Sequence, residues 1–106
     1  MNEKQANFSI GNIVKHKYFN FRGVIYDVDF EFNNSEEWYR SIPKDVRPKK
    51  DQPFYHLLAE NNEITYEAYV SEQNLITDNS GEPLQHPLIN EIFSEKKGSA
   101  YYKRSN

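Results

Sequence analysis

Gly23-Val24-Ile25-Tyr26-Asp27-Val28-Asp29-Phe30-Glu31-Phe32 alternates with period two. Val24, Tyr26, Val28, Phe30 and Phe32 fall on one side, and Ile25, Asp27, Asp29 and Glu31 on the other. That alternation predicts a strand with one buried and one wet face. β-branched and aromatic side chains fill the expected inner side, where a pleated surface packs them well.

Upstream, Phe8, Ile10, Ile13 and Val14 surround Gly11-Asn12, so a turn or bulge at Gly11 leads into a strand over Ile13–Tyr18. Phe19-Asn20-Phe21-Arg22-Gly23 reads as a tight connection, with Gly23 available for positive φ. Downstream, Asn33-Asn34-Ser35 is turn chemistry. Asn34 or Ser35 can cap a short helix through Glu36–Arg40, and Pro43 stops it. Residues 44–53 are basic and proline-rich, an expected exposed loop. Phe54–Glu60 and Ile64–Val70 flank Asn61-Asn62-Glu63 and predict an antiparallel hairpin, with Ile64, Tyr66, Ala68 and Val70 inward. Leu75 and Ile76 return to the core after a turn, and Asp78-Asn79-Ser80-Gly81 is a further turn. His86-Pro87 opens a short helix whose stripe is Leu88, Ile89, Ile92 and Phe93.

The chain has 106 residues, enough for one domain with a thin core. Aromatics are 15% of it, nearly all Tyr (8) and Phe (7), so a few large rings must supply the buried area and leave hydroxyls at its edges. No run approaches the ~20 apolar residues of a membrane-spanning helix. The first seven residues lack an apolar signal region. Cysteine is absent, which removes disulfides, thiol catalysis and zinc-thiolate sites together. A cytoplasmic protein without membrane partners is expected. The net charge of −3 weighs against nucleic-acid binding by the whole surface and leaves room for a local basic patch.

Catalysis finds little support. Of the three histidines, His16 and His56 lie on expected strands, where they can approach each other or Asp27 and Asp29. A structural histidine at a barrel rim is the simpler reading. No serine sits in a nucleophile elbow, so no enzyme activity and no catalytic residue are expected. Asp27, Asp29 and Glu31 start like a calcium loop, but Phe32 stands at its glycine position and Trp38 at its closing glutamate. No metal site and no cofactor are expected. Lys15, Lys17 and Arg22 flank the first turn, while Arg47, Lys49 and Lys50 lie in the proline-rich loop with Lys44. On one side of the molecule these would form a phosphate-facing surface, and the six first named are the DNA-contact candidates. Reading a methylated base would further need a contact in the major groove, which no residue identifies. Trp38 and Tyr39 can anchor a protein interface or cap the open end of a barrel. Tyr101 and Tyr102, in the basic and aromatic tail, are the other protein-interaction candidates.

Several stretches are familiar in combination: Phe8-Ser-Ile-Gly11, Val14-Lys-His16, Phe21-Arg-Gly-Val-Ile25, Tyr26-Asp-Val-Asp29, Ser35-Glu-Glu-Trp38, Arg47-Pro48, Asp51-Gln-Pro-Phe-Tyr-His56, Tyr69-Val-Ser-Glu-Gln-Asn-Leu75, Gly81-Glu-Pro83 and His86-Pro87. In order and spacing the chain resembles the heat shock protein HspQ family, also called the YccV-like hemimethylated-DNA-binding family, over about Phe8 to Phe93. The resemblance implies a small, partly open β-barrel. It also implies two functions. One is a stress-response role in regulated proteolysis, as an accessory factor or substrate of the AAA+ protease Lon; related domains occur in adaptors of other protein-turnover systems. The other is binding of hemimethylated DNA in control of replication-initiator expression. The resemblance carries over no site residues.

The expected architecture is therefore all-β: a small SH3-like, partly open barrel, with one short helix in an insertion and one near the C-terminus. Residues 1–7 are expected to be disordered, 8–94 to form the domain and 95–106 to be a flexible tail. The favoured function is a non-catalytic modulator of degradation by a AAA+ protease such as Lon, and the alternative is a DNA-binding regulator. An edge strand in an open barrel can pair across subunits, so a homo-oligomer is compatible with this reading.

Overall fold

The computed structural model describes residues 5–98 and 100–104. β1 (Ile13–His16), β2 (Arg22–Asp29), β3 (Phe54–Glu60), β4 (Thr65–Ser71) and β5 (Leu75–Thr77) form one antiparallel sheet. Its order is β4-β3-β2-β1-β5. A 3-10 turn at Glu72–Asn74 joins β4 directly to β5, yet the two are not paired. The molecule is all-β, and the sheet is not closed, as in a partly open barrel. The helices stand where the sequence puts them: α1 (Glu36–Ser41) in the insertion after β2, and a single turn, α2 (Ile89–Ile92), near the C-terminus. Ser35 caps α1, its hydroxyl accepting the Trp38 N–H at 3.0 Å.

Two cores lie on opposite faces of the sheet. The inner one joins Val14, Ile25, Tyr55, Leu57, Ala59, Val70 and Leu75. The outer one joins Ile13, Val24 and Leu58 to Leu84, Ile89, Phe93 and Tyr101 of the C-terminal segment. The single wet face expected for β2 is therefore wrong at Ile25, which is completely buried. Between Ile25 and Asp27 the pairing with β3 also slips at a bulge. An extra residue there reverses the sidedness of all that follows. Val24 and Tyr26 thus belong with the outer core, whereas Val28 packs on the inner one. The strand ends at Asp29, and Phe30 is exposed.

Gly23 has no positive φ; its role is close approach, since a Cβ there would lie 2.7 Å from the Leu58 carbonyl oxygen. Gly11 does need one, at φ 95°, and its carbonyl accepts the Tyr101 N–H at 2.7 Å. Ile64 falls in the β3–β4 turn rather than on the inner face, and Ile76 on β5 is also partly exposed. The expected tail is a hairpin in its described part: β6 (Phe93–Lys97) pairs with β7 (Ala100–Lys103). Tyr101 on β7 is buried. At the other end, Ala6 and Phe8 pack against the inner core and the Asn7 N–H reaches the Glu72 carboxylate at 2.7 Å. Residues 1–4, 99, 105 and 106, parts of the expected disordered segment and tail, lie outside the described residues.

Candidate functional site

The chain leaving β2 turns back at Phe32 and is pinned by aromatic packing. Phe32 meets Trp38 at 5.9 Å, Tyr39 at 5.2 Å and Phe54 at 5.2 Å between ring centroids. Trp38 packs edge-on against Tyr69 of β4 at 5.4 Å. Both α1 aromatics are half-buried. The Tyr39 hydroxyl donates to the Pro48 carbonyl at 2.6 Å, and Lys50 sits 4.5 Å above its ring. This fixes α1 and the loop behind it beside β4.

On the other side of β4 stands the β1–β2 loop. His16 holds it: Nδ1 accepts the N–H groups of Tyr18 and Phe19 at 3.0 and 3.1 Å, and the ring stacks on Phe19 at 4.6 Å. An Nδ1 that accepts must be unprotonated, and burial lowers the imidazole below its usual 6.5. Between loop and insertion runs an apolar groove of about 340 Å³. Tyr18, Phe19 and Phe21 form one wall, Trp38, Ile42 and Val46 the other, and residues 67–71 of β4 the floor. Tyr18 is 72%, Phe19 57% and Val46 42% exposed, a concentration of wet apolar surface in so small a domain.

Three of the six DNA-contact candidates, Arg22, Arg47 and Lys50, are engaged within the molecule. Arg22 is held inward by Asp78, by Glu60 at 3.7 Å and by the Pro83 carbonyl at 3.3 Å. Burial works to raise the Asp78 carboxyl, but the Ser80 N–H and hydroxyl and the Arg22 guanidinium outweigh it and hold the group below its ordinary 3.8. Arg47 donates to the carbonyls of Ile42 at 2.8 Å and Arg40 at 3.0 Å and lies over the Tyr39 ring. Lys50 pairs with Glu36, whose carboxyl is lowered first by that lysine. Lys15, Lys17 and Lys49 are exposed and make no ion pair among the described residues. Of the protein-interaction candidates, Trp38 lines the groove, Tyr39 braces its wall, Tyr101 is buried in the outer core and Tyr102 is 51% exposed.

His56 reaches Asp29, Nε2 to Oδ2, at 2.9 Å, and the Tyr69 hydroxyl donates to the same oxygen at 2.7 Å. His16 is instead committed to its own loop. Asp27, Asp29 and His56 place ligand atoms within 4.8 Å of one another and are the described residues best placed to hold a cation. Asp29 Oδ2 is already shared between His56 and Tyr69, and Asp27 Oδ1 accepts the Val28 N–H at 2.9 Å. Sequence reasoning missed Tyr18, Phe19, Ile42 and Val46 as site residues. Their one signal was two apolar clusters inside polar, turn-rich stretches.

The sequence has relatives among known proteins. The family model described as "Hemimethylated DNA-binding protein YccV like" matches residues 6–100. F-box only protein 21 of Homo sapiens and of Pongo abelii are each 34% identical over 95 residues, and that of Mus musculus 33%. The match covers 89% of this chain and 15% of each of those proteins, so the chain spans only a small part of the length of these curated relatives. No solved structure matches significantly.

Proposed function

The chain belongs to the YccV-like family of hemimethylated-DNA-binding-protein-like domains, and from that premise we propose that it is a non-catalytic protein-interaction module that modulates degradation by a AAA+ protease such as Lon, in the cytoplasm. The observation that carries this reading is the apolar groove between the β1–β2 loop and the α1 insertion. Exposed Tyr18, Phe19 and Val46 are the kind of surface that gains by being covered. The net charge of −3 and the internal engagement of Arg22, Arg47 and Lys50 fit a protein partner better than a polyanion. Recurrence of the domain as a small part of F-box only protein 21 suits a module that recognises something for a larger machine. The test adds the chain to purified Lon degrading a labelled unfolded protein. A dose-dependent change in rate supports the reading, and an unchanged rate across the titration overturns it.

The family description favours a second reading, binding of hemimethylated DNA. Of the six candidates, Lys15, Lys17 and Lys49 are those left for phosphates. Anisotropy of a labelled hemimethylated duplex against its unmethylated twin, at two salt concentrations, decides it. Methylation preference that weakens with salt supports DNA binding; equal or absent binding removes it.

A further inference from the structure

We propose that the groove takes an extended peptide segment of a partner protein, with alternating apolar side chains and an acidic flank, which adds as a strand along β4. This rests on the reading of the domain as an interaction module and names its binding mode.

β4 is an edge of the sheet. The Asn61 N–H donates to the Ile64 carbonyl at one end of the β3–β4 hairpin, and the Glu72 N–H to the Pro53 carbonyl at the other. Antiparallel pairs alternate between bonded and non-bonded, so these two fix the phase. Tyr66, Ala68 and Val70 turn their backbone groups to β3, opposite Ala59, Leu57 and Tyr55. Glu67, Tyr69 and Ser71 turn theirs outward, along the groove floor. A row of outward amides is a template for another strand.

A second observation points the same way. Ser71 is 2% exposed, lines the groove, and its Oγ is the buried side-chain polar atom without a hydrogen-bond partner among the described residues. Such a group is costly to leave unmet, and a peptide backbone would meet it. The walls supply apolar contacts for alternate side chains. In the chain Lys17 follows His16 of the groove and Lys44 comes two residues before Val46; both are exposed and neither makes an ion pair among the described residues. These select the acidic flank.

The experiment uses a fluorescein-labelled peptide of alternating Val and Thr between acidic ends, read by anisotropy, and the same peptide N-methylated at alternate amides. Saturable binding is expected. N-methylation on the edge-facing register should weaken it at least about tenfold, and so should Val46→Asp or Phe19→Asp, whose wild-type side chains are exposed enough that folding survives. Ser71→Ala should bind more weakly while its urea midpoint does not fall, a split that a merely structural serine would not give. No saturable binding, equal binding of the methylated peptide, indifference to Val46→Asp, or a dimer of this chain that excludes the peptide each overturns the proposal. Peptide binding without any effect on Lon would remove the functional reading and leave strand addition standing. A Lon effect from a wild-type chain that shows no saturable peptide binding would do the reverse.

Discussion

Tyrosine hydroxyls tie loops to the sheet. The Tyr55 hydroxyl accepts the Phe8 N–H at 3.2 Å and donates to Glu72 at 2.7 Å. The Tyr69 hydroxyl accepts the Asn33 N–H at 2.9 Å and donates to Asp29 at 2.7 Å. Tyr101 accepts the Leu84 N–H at 3.0 Å. Burial and then the bonded carboxylate raise the Tyr55 and Tyr69 phenols above their usual 10, so both stay protonated donors. Tyr69→Phe keeps the ring and removes the bridge; it should cost about 1–2 kcal/mol in urea denaturation, and the Asn33 amide should exchange faster. His16 makes a pH-dependent version of the same link. Its folded value lies below 6.5, so the folded state resists protonation. Its stabilisation is complete above the unfolded value and is lost as pH falls from 6.5 through the lower folded one. Urea midpoints measured from about pH 7.5 to about pH 5 should fall more steeply in the wild type than in His16→Ala. Parallel curves would sink the assignment.

At the scale of elements, legibility followed how local the causes were. β3 runs from Phe54 to Glu60 as read, because Pro53 and Asn61 mark both ends with turn chemistry. α1 was equally plain in its Ser35 cap and Pro43 stop. β6 and β7 were not legible: Phe93-Ser94-Glu95-Lys96-Lys97 carries one apolar residue, and the hairpin depends on packing of Phe93 and Tyr101 onto residues far away in sequence. The groove was hidden for the same reason, since its walls come from separate segments that only the sheet brings together. Phe32 gives the most direct test of how α1 is held. Its ring meets those of Trp38, Tyr39, Phe54 and Tyr69. Phe32→Ala should destabilise by about 3–5 kcal/mol. Emission of Trp38, the one tryptophan in the chain, should shift to the red before global unfolding as α1 loosens.

For the whole molecule, the question is whether one sheet with two cores behaves as one unit. Ile13, Val24 and Leu58 face the outer core, while their neighbours Val14, Ile25 and Leu57 face the inner one. Strands shared in this way cannot lose one cover and keep the other unchanged. Tyr101 ties the outer cover to the sheet: it packs on Phe93 at 5.7 Å, its N–H bonds the Gly11 carbonyl at 2.7 Å, and its hydroxyl takes the Leu84 N–H. Tyr101→Ala removes the ring and orphans the Leu84 donor, which should cost about 3–5 kcal/mol, a large share of the roughly 5–15 kcal/mol that holds an ordinary domain together. Trp38 lies with Phe32 and Tyr69, away from that cluster, so its fluorescence reports the other end of the sheet. If the molecule is one cooperative unit, urea unfolding of Tyr101→Ala followed by Trp38 fluorescence and by far-ultraviolet circular dichroism should shift together to a lower midpoint. A fluorescence transition that stays at the wild-type midpoint while the dichroism moves would mean that the inner core and the α1 insertion stand without the C-terminal cover.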